Sequence, residues 1–87
     1  MYQLILSSAF DRQLKKFLKA NPKNKARVIK TLKLARVNIK HPSLRLHKLE
    51  GTSNYSLSVT KNIRLITHIE KDCLFLLRIA YHDQAYR

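Results

Sequence analysis

The sequence predicts an α+β fold in the order β-α-α-β-β-β, with both helices on one face of a mainly antiparallel sheet. Three observations lead there. Apolar residues recur at helical spacing twice in the first half of the chain, each time ringed by lysine and arginine. Tyr55, Leu57 and Val59 then alternate with Ser56, Ser58 and Thr60, the period-two pattern of a half-buried strand. Last, Cys73 to Leu77 is a short unbroken apolar run, which suggests a strand covered on both faces and therefore central in its sheet.

Helices followed by a run of strands segregate to one side of the sheet. The 87 residues suit a single domain, 1–87, because domains run from about 50 residues upward.

The chain opens with a strand over residues 2–6, YQLIL. Ser8, with Asp11 three positions on, fits a capping box in its carboxylate form and starts the first helix. Phe10, Leu14, Phe17 and Leu18 make its apolar stripe, and Arg12, Lys15, Lys16 and Lys19 fill the rest of its circumference. Asn21-Pro22 ends it near Ala20, since the residue before proline avoids the helical region.

Asn21 is then expected to cap a second helix with Pro22 in first position. Val28, Leu32, Ala35 and Ile39, with Ile29 beside them, form its core-facing stripe. His41-Pro42 ends that helix, His41 touching its last carbonyls. The two helices make an αα-hairpin whose apolar side needs a sheet.

Gly51, the single glycine, opens a loop before the strand at Tyr55. Lys61-Asn62 and Glu70-Lys71-Asp72 mark two further turns, with strands Ile63 to Ile69 and Cys73 to Tyr81 after them. Alternation places Leu65, Thr67 and Ile69 towards the helices. Arg64, Ile66 and His68, with Ser56, Ser58 and Arg78, would then line an open, partly polar face. For His68 the ordinary reading is a hydrogen-bonded histidine on a sheet face.

Charge narrows the function. Eighteen Lys and Arg against five Asp and Glu leave +13, a field that draws polyanions by steering and counterion release. A merely solubilising surface mixes both signs. The partners expected are therefore nucleic acid first and an acidic protein second. No apolar run reaches the ~18–20 residues of a membrane span, so no membrane role is expected, and the N-terminus lacks the pattern of a signal peptide. A single cysteine suits a reducing, cytoplasmic setting. Cys73 itself reads as a small core hydrophobe.

There are no paired carboxylates, no glycine-rich phosphate loop and no Cys/His spacing of a metal site, so neither metal nor cofactor is expected. Histidine, arginine and lysine remain. His47 and His82 each lie in a polar segment beside a strand, where either one alone reads as a solvated side chain. Lys48, Arg64 and Arg78 likewise read as charges that position phosphate.

LHKLEG (Leu46 to Gly51), NIRLI (Asn62 to Ile66) and RIAYHDQAY (Arg78 to Tyr86) together resemble the three signature stretches of the RelE/ParE superfamily of bacterial toxins. The opening YQLILSSAFDRQLKKFLKANP is similar to the N-terminal helix of its ribonuclease branch, the one that includes RelE, YoeB and YafQ. The resemblance runs through nearly the whole chain in order. It implies the toxin of a type II toxin–antitoxin system, which cleaves mRNA, often on the ribosome, and is silenced by a cognate antitoxin in an oligomeric complex.

Metal-free RNA cleavage needs the 2′-hydroxyl proton removed, the crowded phosphorane neutralised and a proton given to the departing 5′-oxygen. Imidazole suits the proton transfers and arginine or lysine the charge. By resemblance, His82 is the main proton-transfer residue, His47 its partner or a substrate positioner, and Arg64 the stabiliser of the transition state. Lys48, Arg78, Tyr81 and Arg45 are then candidates for gripping and stacking RNA.

Departures stand beside these matches. Ser58 occupies a position where some relatives have histidine, and Asn62 one where others have an acid; Glu50 is the only nearby carboxylate. A branch with the same fold inhibits DNA gyrase instead of cutting RNA, and +13 alone would also suit a simple nucleic-acid-binding module.

Overall fold

The computed structural model describes residues 1–81. Its elements are β1 (Gln3–Leu6), α1 (Ser8–Ala20), α2 (Lys25–Val37), β2 (His47–Lys48), β3 (Tyr55–Ser58), β4 (Ile63–Glu70) and β5 (Cys73–Tyr81), with short 3₁₀ turns at Pro22–Asn24 and Pro42–Leu44. The strands form one sheet in the order β1-β5-β4-β3-β2. β1 runs parallel to β5, and every other pairing is antiparallel. The α+β order expected from the sequence is present, with a two-residue strand, β2, added at one edge. β2 is too short to carry any alternation, which is why the sequence does not announce it.

Both helices lie on one face of the sheet. Phe10 from α1 and Ala35 from α2 are fully buried in a cluster with Ile39, Leu44, Leu57, Leu65, Leu74 and Leu76. Phe17 and Val28 extend this core onto Ile63. From β4, Leu65 and Ile69 join this core, and Thr67, of the same parity, is also buried, as the alternation predicts.

The centre of the sheet is β4, not β5. Ile63 through Thr67 are buried without a break, while β5 lies one place out, between β1 and β4. The apolar run of β5 is two half-runs on opposite faces. Leu74 and Leu76 are buried beneath the helices, whereas Cys73, Phe75 and Leu77 are only half-buried on the other side. Lateral contacts shelter this second set. Phe75 meets the ring of His68 at 5.8 Å between centroids, and Leu77 packs with Leu49, Ile66 and Ala80.

The helix ends also differ from expectation. Ser7, not Ser8, caps α1, its Oγ accepting from the Phe10 N–H at 3.0 Å. Asp11 is in the first turn but pairs with Lys15 at 3.1 Å on an exposed face, where such a pair contributes little. Asn21 does not cap the second helix. Its backbone N–H and its Nδ2 both donate to the Phe17 carbonyl, at 2.8 and 3.0 Å, and so close α1.

Pro22 leads a 3₁₀ turn that precedes α2. That helix ends at Val37, and Ile39 reaches the core from beyond it. The His41 ring therefore caps the next turn, Nδ1 accepting from the Ser43 N–H at 3.2 Å. Ile29 is exposed, because one residue past Val28 turns the side chain about 100° away from the sheet.

Candidate nucleic-acid interface

The face of the sheet opposite the helices carries the polar residues, and a bulge decides which ones. From Leu76 opposite Thr67 to Arg78 opposite Ile66, β5 advances two residues while β4 advances one, leaving Leu77 as the extra residue. A bulge of this kind resets the alternation. Without it Arg78 would continue the parity of Leu74 and Leu76 and point into the core. With it Ile79 joins the helix side and Arg78 faces outward.

The bulge is pinned from α1. The Ser7 hydroxyl donates to the Leu77 carbonyl at 3.0 Å, the Ser7 N–H donates to the Leu76 carbonyl at 3.0 Å, and the Ile79 N–H donates to Gln13 Oε1 at 2.8 Å. A serine hydroxyl has one donor and two acceptor sites, so Ser7 holds both the start of the helix and the irregular strand.

On this open face His47, Ser56, Ile66 and Arg78 are direct neighbours on four successive strands. Strands lie about 4.8 Å apart, so the row spans about 14 Å from His47 to Arg78. His47 and Arg78 are exposed at its two ends. Ser56 is 1% exposed and its Oγ has no hydrogen-bond partner. An orphaned hydroxyl of this kind costs about 1–3 kcal/mol.

A second row, two residues along β4, holds Ser58, Arg64 and Ala80. Arg64 is 6% exposed. Its Nη1 donates to Ser58 Oγ at 2.9 Å and to the Thr60 carbonyl at 2.6 Å, with a longer contact to the Ile63 carbonyl at 3.4 Å. The Ser58 hydroxyl in turn donates to the Thr60 carbonyl at 3.0 Å. The planar guanidinium is thus held in a fixed orientation by the β3–β4 turn.

The structure brings His47, Arg64 and Arg78 to one face and leaves the other candidates off it. Tyr81, 49% exposed, is opposite Ile63 on the helix side, at a cavity of ≈ 230 Å³ that Gln13, Lys16 and Phe17 also line. Lys48 is exposed at the sheet edge opposite Tyr55, which has the helix-side parity. Arg45 is exposed and closes the Pro42–Leu44 turn in the left-handed region at φ 48. His82 lies outside the described residues.

Glu50 is exposed in the turn after β2, where the Thr52 N–H donates to the Leu49 carbonyl at 3.1 Å. Gly51 supplies the φ of 77 that the third position of a type II turn requires. Among the described residues no three His, Cys, Asp or Glu side chains are grouped to hold a metal ion, and no helix is long and apolar enough to cross a membrane.

Two features of the site lie beyond sequence reading. The bulge at Leu77 has no local signature, since every residue around it is an ordinary strand former. The Ser58–Arg64 contact is accessible only by counting register back across the Lys61-Asn62 turn.

Solved structures share this architecture over nearly its full length. A copper-bound mutant toxin from Helicobacter pylori matches with a TM-score of 0.80 at 21% identity, covering 97% of this chain and 98% of that one. YafQ from E. coli strain BL21(DE3) matches with a TM-score of 0.80 at 14% identity over the whole of both chains. The chain has the fold of the YafQ toxin. A YoeB/ParE toxin from Agrobacterium tumefaciens matches with a TM-score of 0.78 at 12% identity, over 94% of this chain and 99% of that one, and E. coli YafQ matches again within a DinJ–YafQ toxin–antitoxin complex. No family model and no curated protein matches the sequence. At these identities the likeness is one of fold, and activity has to be argued from the site.

Proposed function

We propose that the chain is the toxin of a type II toxin–antitoxin module and acts as a metal-independent endoribonuclease on mRNA bound at the ribosome. The observation that carries this reading is the gathering of His47, Arg64 and Arg78 on the open face of a YafQ-like fold. In a chain of +13, that face offers a proton-transfer group, the held cation of Arg64 and the exposed cation of Arg78 to a single strand of RNA.

In the reaction proposed, a histidine takes the 2′-hydroxyl proton, O2′ forms a bond to phosphorus, and the bond from phosphorus to the 5′-oxygen breaks. A proton passes to that leaving oxygen, and the products are a 2′,3′-cyclic phosphate and a 5′-hydroxyl end. His82 is assigned the main proton transfer and His47 the role of partner or positioner. Arg64, already locked by Ser58 and Thr60, stabilises the phosphorane charge without having to reorganise. Arg78 grips the RNA backbone on this face, while Lys48, Arg45 and Tyr81, which lie off it, could touch only RNA that continues past the sheet edge.

An acidic antitoxin covers the protein when it is silent, in an oligomeric complex; support for such a partner is that the neighbour YafQ occurs in a toxin–antitoxin complex with DinJ. Induced expression followed by primer-extension mapping of cellular mRNA tests the reading. Discrete new 5′ ends within coding regions are expected.

One observation favours a second reading. Asn62, exposed in the β3–β4 turn, supplies no carboxylate beside the clamped Arg64, which suits a toxin of the same fold acting on DNA gyrase. Growth arrest with intact mRNA and altered plasmid supercoiling would decide for it.

A further inference from the structure

Helix α2 has two apolar faces. Val28, Thr31 and Ala35 are buried against the sheet, but Ala26, Ile29 and Val37 point the opposite way, with Ile29 40% and Val37 60% exposed. Together with half-buried Leu34 they line a shallow groove of ≈ 690 Å³ whose other walls are Lys30 and Lys33. Helix α1 shows no such stripe. Its exposed large side chains are Arg12, Gln13, Lys15, Lys16 and Lys19. A helix apolar on both sides is unusual for a protein surface and calls for a cover.

Charge selects the occupant. The helix carries Lys25, Arg27, Lys30, Lys33 and Arg36 and no acidic residue. A second copy of this chain would set those cations against their own duplicates, a juxtaposition that costs binding. An acidic partner gains from each of them. From Ala26 to Val37 the stripe is about 16 Å long, the length of three helical turns, and residues spaced in this way receive the side chains of another helix.

We propose that the outer face of α2 is the docking surface for an acidic amphipathic helix, with Ile29 and Val37 as its apolar anchors and Lys30 and Lys33 as its charged rim. This rests on the acidic protein partner proposed above and not on the nuclease chemistry. The surface is on the far side of the sheet from His47 and Arg78, so such a helix anchors the partner without itself filling the RNA face.

The probe is a synthetic peptide of about 18 residues, long enough to be helical, with leucines at a three-four spacing and glutamates elsewhere. A scrambled peptide of the same composition is the control. Amide chemical shifts on titration are expected to move along Ala26 to Val37, and the scrambled peptide to bind more weakly. Ile29→Ser with Val37→Ser should weaken the ordered peptide by about tenfold or more, with folding checked by circular dichroism.

Equal binding of both peptides, or shifts confined to the open sheet face, would overturn the proposal. So would a dimer of the native protein, seen by sedimentation, that the double variant abolishes, since the occupant would then be a second copy. Cleavage of mRNA is scored separately, by primer extension after induced expression. Peptide docking without cleavage would reject the nuclease reading alone, and cleavage without docking would reject this surface alone.

Discussion

Replacing Ser7 and Ser8 one at a time by alanine separates two neighbouring serines that look alike in the sequence. Ser7 Oγ accepts from the Phe10 N–H at 3.0 Å and donates to the Leu77 carbonyl at 3.0 Å, whereas the Ser8 side chain is exposed. Loss of an N-cap costs about 1 kcal/mol. Loss of the bond to a part-buried carbonyl adds about 0.5–1.5 kcal/mol, so Ser7→Ala should destabilise the protein by about 1.5–2.5 kcal/mol.

For a domain of this size that change lowers the melting temperature by about 6–20 °C. Ser8→Ala should stay within about 0.5 kcal/mol of the parent. Urea unfolding followed by far-ultraviolet circular dichroism measures both, and amide exchange at Phe10 should accelerate in the first variant only. Equal midpoints for the two variants, or a larger loss at Ser8, would refute the reasoning that one hydroxyl ties the helix start to the bulge.

Other predictions concern the core and the open face. Phe10→Ala, at a fully buried position, should cost about 3–5 kcal/mol, read from the same unfolding curves. Arg64→Lys keeps the charge but loses the planar fork, so it should destabilise the protein by about 1.5–3 kcal/mol. Its RNA cleavage should also fall when assayed well below the unfolding temperature, and unchanged stability would mean that the contacts to Ser58 and Thr60 carry no weight. Arg78→Ala should lower the slope of log affinity against log salt for single-stranded RNA by about 0.7, measured by fluorescence anisotropy; an unchanged slope would remove Arg78 from the phosphate contacts.

Periodicity in the sequence exposes the repeated parts of this fold. The stripes of both helices, the alternation of Tyr55 to Ser58 and the two-faced character of β4 follow from residue spacing, and the register confirms that Arg64, Ile66 and His68 share a face with Ser56, Ser58 and Arg78. What spacing does not expose are single events. The bulge at Leu77 changes the parity of one strand and decides where Arg78 and Tyr81 point. Ser7 outcompetes Ser8 as a cap because only Ser7 also reaches Leu77.

The apolar run of β5 reads as central because a continuous apolar string cannot show which of its residues pack under helices and which only lean on neighbours such as His68. Of the candidate site, the histidine and arginine types were legible from chemistry. That His47 and Arg78 are the ends of one cross-strand row depends on register, which a single sequence does not encode locally.

The most direct test of the proposed chemistry uses ribosomes programmed with a short mRNA and with its twin carrying one 2′-deoxy sugar at the cleaved position. The account predicts that the RNA is cut to a 2′,3′-cyclic phosphate and a 5′-hydroxyl end, that the 2′-deoxy twin stays intact, and that His82→Ala slows cleavage by about 100-fold or more. Cleavage of both substrates at the same rate, or full activity in the His82→Ala protein, would contradict it.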